Sequence, residues 1–230
     1  MTLPLPRAVV FDLDGTLVDT APDLTSALNW VLESEGREPL PEMDVRHMVG
    51  RGGRHLLMRG LAVSGVTASE AELDLLLPRF LAYYGDHVAE RSTLFPGVEA
   101  ALLALAGHGV RLAVCTNKPI GLTEPLLAAM GIDRHFQAIL GGDSFTFRKP
   151  DPRHLLETLN RLEVAAAEAI MVGDSDSDVK AARGAGVPVI GVSFGYTETP
   201  IHELGVDKII DHYDELLPAL AGLRQVDIRS

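Results

Sequence analysis

Short apolar runs alternate along the chain with longer stretches of helical period. Ala8–Phe11, Leu112–Cys115, Ala138–Leu140, Ala169–Val172, Val189–Val192 and Lys208–Ile210 read as short buried strands. Leu122, Leu126, Leu127 and Met130 share one helical face, and so do Leu155, Leu156, Leu159 and Leu162. A third helix is expected from about Asp176 to Ala185, ending at Gly186. Strands apolar on both faces and interleaved with helices predict an α/β fold with a doubly wound parallel sheet. Each run alone is too short to assign; the alternation carries the reading. Pro188 places the strand that follows it nearer an edge, and Pro125 should begin or kink a helix.

One segment breaks the alternation. Between about Val18 and Arg91 the pattern is helical throughout, with Leu24, Leu28, Val31 and Leu32 forming one stripe. Leu73, Leu76, Leu77, Phe80, Leu81 and Tyr84 form another, kinked by Pro78. This stretch is too long for one crossover helix, so an inserted α-helical subdomain is expected at 18–91. The α/β core then comprises 1–17 and 92–230, with Phe95-Pro96-Gly97 marking re-entry.

Composition narrows the function classes. Of 230 residues, 32 are acidic and 20 basic, a net charge of −12, which disfavours nucleic acid and anionic membrane surfaces as partners. The single cysteine, Cys115, excludes an intrachain disulfide and fits a reducing compartment. The N-terminal run lacks the basic and apolar regions of a signal peptide, and no apolar run approaches a membrane span. A cytoplasmic location is expected; the oligomeric state is left open.

Open parallel sheets bind ligands beyond the C-terminal ends of their strands. Three predicted strands end in polar groups: Asp12-Leu13-Asp14-Gly15-Thr16, then Thr116-Asn117-Lys118, then Gly173-Asp174-Ser175-Asp176-Ser177-Asp178. Lys149 precedes the helix leading to the last of these. Either acidic cluster alone reads as turn or helix capping. Two at one sheet edge read as oxygen ligands for a hard cation, Mg²⁺ above all, which takes substrate phosphate as a further ligand. Asp12, Asp174, Asp178 and a phosphate dianion together outweigh one divalent ion. Each like-charge contact costs roughly 4 kcal/mol at an effective dielectric of about 20, so Lys149 is needed at the site and Asp14 is best kept protonated.

Asp-Leu-Asp-Gly-Thr-Leu-Val-Asp-Thr, Cys-Thr-Asn-Lys-Pro, Arg-Lys-Pro-Asp-Pro and Gly-Asp-Ser-Asp-Ser-Asp, in that order, resemble the four motifs of the haloacid dehalogenase-like superfamily. The resemblance spans nearly the whole chain and includes a helical type 1 cap inserted after the first motif. It implies a Rossmann-like core and an Mg²⁺-dependent phosphatase acting on a small phosphorylated metabolite. Asp12 is then the nucleophile that becomes an aspartyl-phosphate, and Asp14 the general acid and base. An aspartate at position 14 points to phosphoryl transfer, because halide leaves without a proton.

The same resemblance implies that Asp12, the backbone carbonyl of Asp14, and Asp174 hold the metal. Thr116, Asn117 and Lys149 cradle phosphate. Thr16 orients Asp14, and Asp178 orients Lys149 or metal-bound water. Asp19 is read as a helix cap. The loop Gly50-Arg51-Gly52-Gly53-Arg54 is either a plain helix–helix turn or a substrate clamp through Arg51 and Arg54, with His47 and Lys118 as further candidates. In texture the chain is most similar to bacterial phosphoglycolate phosphatases, which implies 2-phosphoglycolate as substrate. A phosphatase or phosphomutase for a sugar phosphate or nucleotide is the near alternative. A phosphoaspartate receiver module is the alternative from another class, and it needs neither Asp14 nor a cap.

Overall fold

The computed structural model describes residues 5–227, with side chains through Leu223. Met1 to Pro4 and the last three residues, which the core boundaries and the signal-peptide reading include, lie outside the described residues. The chain begins with β1 (Ala8–Phe11) and the two-residue β2 (Val18–Asp19). Four helices follow: α1 (Ala21–Ser34), α2 (Glu42–Arg46), α3 (Gly53–Val63) and α4 (Glu70–Asp86). Then come β3 (Thr93–Leu94), α5 (Val98–Gly107), β4 (Arg111–Cys115), α6 (Ile120–Ala129), β5 (Ala138–Leu140) and α7 (Pro152–Leu162). The chain finishes with β6 (Ala169–Gly173), α8 (Asp176–Ala185), β7 (Val189–Val192), β8 (Lys208–Ile210) and α9 (Leu216–Asp227).

Six strands form one sheet in the order β5-β4-β1-β6-β7-β8, every pair parallel. The order runs outward from β1 in both directions, so the switch point of this doubly wound sheet lies at β1. Alternation along each strand divides the core. Val9, Phe11, Leu112, Val114, Ile170 and Val172 pack on one face with residues of α5, α6 and α9. Ala8, Val10, Ala113, Cys115, Ala169 and Met171 pack on the other with α7 and α8. No helix of the described residues is long and apolar enough to cross a membrane.

The four inserted helices carry a separate core in which Leu28, Leu32, Leu57, Leu73, Phe80 and Tyr84 meet. Their ends return to the sheet through the antiparallel pair Val18↔Leu94 and Asp19↔Thr93, a ribbon too short to leave a sequence pattern. Pro125 neither begins nor breaks α6 but sits inside it, and Pro78 sits inside α4. Both prolines are on exposed faces, as are Gly121 and Asp74 four residues earlier, so the carbonyl each proline leaves unbonded faces water. Pro188 precedes β7, which lies inside the sheet beside edge strand β8; its carbonyl accepts from Met171 N at 2.9 Å, so its missing N–H costs the ladder nothing.

Candidate active site

Register brings the polar strand ends together. Phe11 is level with Val114 of β4 and with Val172 of β6, so Asp12, Thr116 and Asp174 emerge side by side at the switch point. Asp12 Oδ1 accepts from Leu13 N at 2.7 Å and pairs with Lys149 Nζ at 2.8 Å. Among the described residues no donor is paired with Oδ2. Lys149 is fully buried and also reaches Asp178 Oδ1 at 2.6 Å. Asp178 Oδ2 accepts from Ser175 N at 3.0 Å and from Ser175 Oγ at 2.6 Å, so the capping box of α8 also anchors the lysine. Asp174 accepts from Thr16 Oγ1 at 3.0 Å and from Tyr196 N at 2.7 Å. Gly15, at φ +81°, makes the turn that admits this packing; a Cβ there would lie 2.4 Å from Asp174 Oδ2.

Charge in this cluster is not balanced by the protein. Carboxylate oxygens of Asp12, Asp174 and Asp178 lie within 4.8 Å of one another, and all three residues are buried. Burial, then the charge of Asp178, pushes the Asp12 carboxyl up to about 7 against the pull of Lys149. Burial and the neighbouring carboxylates raise Asp174 as well. Burial opposes the charge of Lys149, but Asp12 and Asp178 overcome it and hold the ammonium protonated. Hard oxygen donors with surplus negative charge are the donor set a divalent cation such as Mg²⁺ requires. Asp178 has one oxygen against the Lys149 ammonium and the other taking two donors at the start of α8. Asp12 keeps Oδ2 unpaired among the described residues and each Asp174 oxygen accepts a single neutral donor, which leaves Asp12 and Asp174 as the better ligands.

Asp14 lies on the other side of Asp12, toward the inserted helices. It accepts from Thr20 Oγ1 at 2.8 Å and pairs with Lys118 Nζ at 2.9 Å. Lys118 is thus a partner of Asp14 from the end of β4. Lys118 is buried and also donates to Tyr84 Oη of α4 at 2.7 Å. These groups open on a cavity of ≈ 30 Å³ between the sheet edge and the helices. Leu24, Leu56, Phe80 and Leu122 form apolar wall, and Lys118 is the one cationic side chain among the described lining residues. Thr116 Oγ1 accepts from Lys118 N at 3.2 Å, leaving its own proton for a ligand.

Several expected roles fall elsewhere. Thr16 serves Asp174, and Thr20 orients Asp14 in its place. Asp19 does not cap α1; it accepts from Tyr196 Oη and pairs with Arg46 Nη2 at 2.7 Å, joining the sheet edge to α2. Asn117 Nδ2 donates to Lys149 O at 3.0 Å and Gly50 O at 3.2 Å, which makes its side chain a strut between the lysine and the glycine-rich loop. Arg54 pairs with Glu70 at 2.5 Å and Asp74 at 2.7 Å on the outer side of the helices. Arg51 lies 3.5 Å from Asp176 and lines, with His47, a second cleft beside α8. The Cys115 thiol is buried, and burial pushes it up to about 11, which leaves it inert. Tyr84, Thr20 and Tyr196 were not singled out as site residues. Tyr84 reads only as one member of an apolar helical stripe, and Tyr196 reaches Asp19 across 177 positions.

The profile of the haloacid dehalogenase-like hydrolases matches residues 9–192. A phosphoglycolate phosphatase of Agrobacterium fabrum is 46% identical over 217 residues, covering 94% of this chain and 93% of that protein. One from Mesorhizobium japonicum is 44% identical over 213 residues, covering 93% and 94%. Among solved structures, a predicted phosphoglycolate phosphatase from Haemophilus somnus superposes with a TM-score of 0.87. It is 33% identical and covers 95% of this chain and 99% of its own.

Proposed function

The chain belongs to the haloacid dehalogenase-like hydrolases, and from that premise we propose that it is a phosphatase hydrolysing 2-phosphoglycolate to glycolate and phosphate. In this reading the helices within 18–91 are a cap over the site. The observation that carries the substrate is the buried Lys118 ammonium, the one cationic side chain among the described residues lining the cavity beside Asp14. An ester oxygen one hydrogen bond from Asp14, at ~2.7 Å, lies within about 6 Å of Lys118 Nζ. A carboxylate one methylene away reaches about 3.6 Å from that oxygen, which leaves roughly one hydrogen bond to the ammonium. The wall of Leu24, Leu56, Phe80 and Leu122 offers no hydrogen-bond partners to the hydroxyls of a sugar or nucleoside.

Asp12 Oδ2 attacks phosphorus while Oδ1 is held by Leu13 N and Lys149. The ester oxygen leaves with a proton that Asp14 takes up from solvent as Lys118 turns to the substrate carboxylate, giving glycolate and an acyl phosphate on Asp12. Asp14, steered by Thr20, then takes a proton from the water that attacks phosphorus and returns the Asp12 carboxylate. Once the Lys118 ammonium turns to the substrate carboxylate, Asp14 faces the ester oxygen without a competing cation. Thr116 and Lys149 receive the phosphoryl oxygens. Asp12, Asp174 and the Asp14 backbone carbonyl would hold Mg²⁺, which when bound offsets the repulsion between carboxylate and phosphate. Asp178 keeps the Lys149 ammonium beside Asp12.

The test is inorganic phosphate release from a panel of small phosphate esters with added Mg²⁺. The reading expects 2-phosphoglycolate to give the highest kcat/KM and Asp12→Asn to abolish release with the fold retained. Preference for a hexose phosphate, or isomerisation without phosphate release, overturns it.

A further inference from the structure

Lys118 needs a holder. A lysine ammonium has three donors on a flexible stem, so its position is set by what receives them. In the absence of substrate two partners do so, and they come from different parts of the molecule. Asp14 belongs to the end of β1, and Tyr84 to the last turns of α4. Tyr84 is 1% exposed, and Lys118 Nζ lies 4.4 Å from its ring centroid as well as 2.7 Å from its hydroxyl. The hydroxyl oxygen thus receives the ammonium through a lone pair at the rim of the ring. The ring is itself fixed by Phe80, whose centroid stands 6.1 Å away at an interplanar angle of 13°. Burial, then the charges of Asp14 and Asp23, keeps the phenol protonated. Its proton has no paired acceptor among the described residues, so the hydroxyl can accept from Lys118 and still donate to a ligand in the cavity it lines.

We infer that Tyr84 is a specificity-determining positioning residue: it holds Lys118 at the cavity wall and adds a second donor there, so the site selects leaving groups bearing a carboxylate one carbon from the ester oxygen. The inference rests on the reading of Lys118 as the carboxylate partner. It assigns selectivity to a residue of α4 rather than to the arginines of the 50–54 loop. Because the hydroxyl comes from the inserted helices, the anion subsite exists only while those helices lie against Thr116–Pro119.

The experiment compares 2-phosphoglycolate with ethyl phosphate, which has the same ester oxygen and spacer but a methyl in place of the carboxylate. Both are assayed on the wild-type protein, Tyr84→Phe, Tyr84→Leu and Lys118→Met. Tyr84→Phe keeps the ring and removes the hydroxyl, so it is the variant that folds most surely. It is expected to lose at least about fivefold more kcat/KM on 2-phosphoglycolate than on ethyl phosphate, mainly through KM; Tyr84→Leu should lose more. Equal losses on both esters, or none, overturn the role of Tyr84. If Lys118→Met also leaves the ratio unchanged while the wild type prefers 2-phosphoglycolate, Lys118 is not the carboxylate partner and the inference falls with it. If the wild type shows no preference, the proposed substrate itself is wrong. Selectivity lost in Lys118→Met but kept in both Tyr84 variants sinks the inference alone.

Discussion

Lys149 Nζ stands 2.6 Å from Asp178 Oδ1 with both side chains fully buried, and the other oxygen of Asp178 caps α8. One carboxylate therefore fixes both a helix start and the ammonium that faces Asp12. Asp178→Asn removes half of the charge around Lys149. Breaking a buried pair costs about 3–5 kcal/mol, and relief of the repulsion on Asp12 offsets part of that. At roughly 2–4 °C per kcal/mol for a chain of this size, Tm should fall by about 4–8 °C. Phosphate release should fall more than about tenfold as Lys149 loses an anchor. Calorimetry and steady-state assay check both, and an unchanged Tm with unchanged turnover refutes the dual role.

Gly195 leaves no room for a methyl group. A Cβ there would sit 2.1 Å from Asp174 Cβ and 2.5 Å from its Oδ2. Gly195→Ala should push Asp174 off the Thr16 hydroxyl and the Tyr196 N–H that hold it. The Mg²⁺ concentration for half-maximal activity should rise at least about tenfold. An unaltered Mg²⁺ titration would remove Asp174 from the metal site.

His154 of α7 is buried, and burial followed by the charge of Lys149 pushes its pKa down to about 4 from 6.5. Between those values the unfolded chain binds a proton that the folded chain refuses. The stability tied to neutral His154 is therefore complete above about pH 6.5 and is lost as pH falls toward 4. His154→Phe cannot bind that proton. Urea midpoints at pH 7 and pH 5 should show the wild type losing on the order of 1–2 kcal/mol more than the variant. An equal or smaller loss in the wild type shows that His154 does not carry the linkage.

Arg54 is spent on Glu70 and Asp74, both exposed. Exposed pairs of this kind are worth up to about 1 kcal/mol. Arg54→Ala should leave KM for 2-phosphoglycolate within about twofold of wild type and lower Tm by no more than about 4 °C. A selective rise in KM above about fivefold would mean that the side chain turns inward to meet substrate.

The division of the chain into strands and helices was legible because it rests on local periods. Ala8–Phe11 and Ala138–Leu140 appear in the structure with the boundaries read from the sequence, and α8 ends at Gly186 as its left-handed cap requires. Val18–Asp19 and Thr93–Leu94 were not legible, since two residues carry no period. Pro125 was misread because sequence does not reveal which face of α6 meets water, whereas Pro78 lies inside α4 as its place in the apolar stripe implied. Asp12, Thr116, Lys149 and Asp174 were identified by their places at strand ends and in ordered motifs. The structure sets them around a single point.

What lies within a few residues of a strand end, namely the carboxylates, the threonine, the lysine and the order of the motifs, was determined by the sequence itself, because backbone period and register dictate it. Tertiary structure alone decided which hydroxyl serves which carboxylate: Thr20 for Asp14, Thr16 for Asp174, Tyr84 for Lys118. Those choices depend on helices packing across a sheet edge. A hydrogen bond made within about 3 Å can join residues far apart in the chain, and no local pattern encodes that distance.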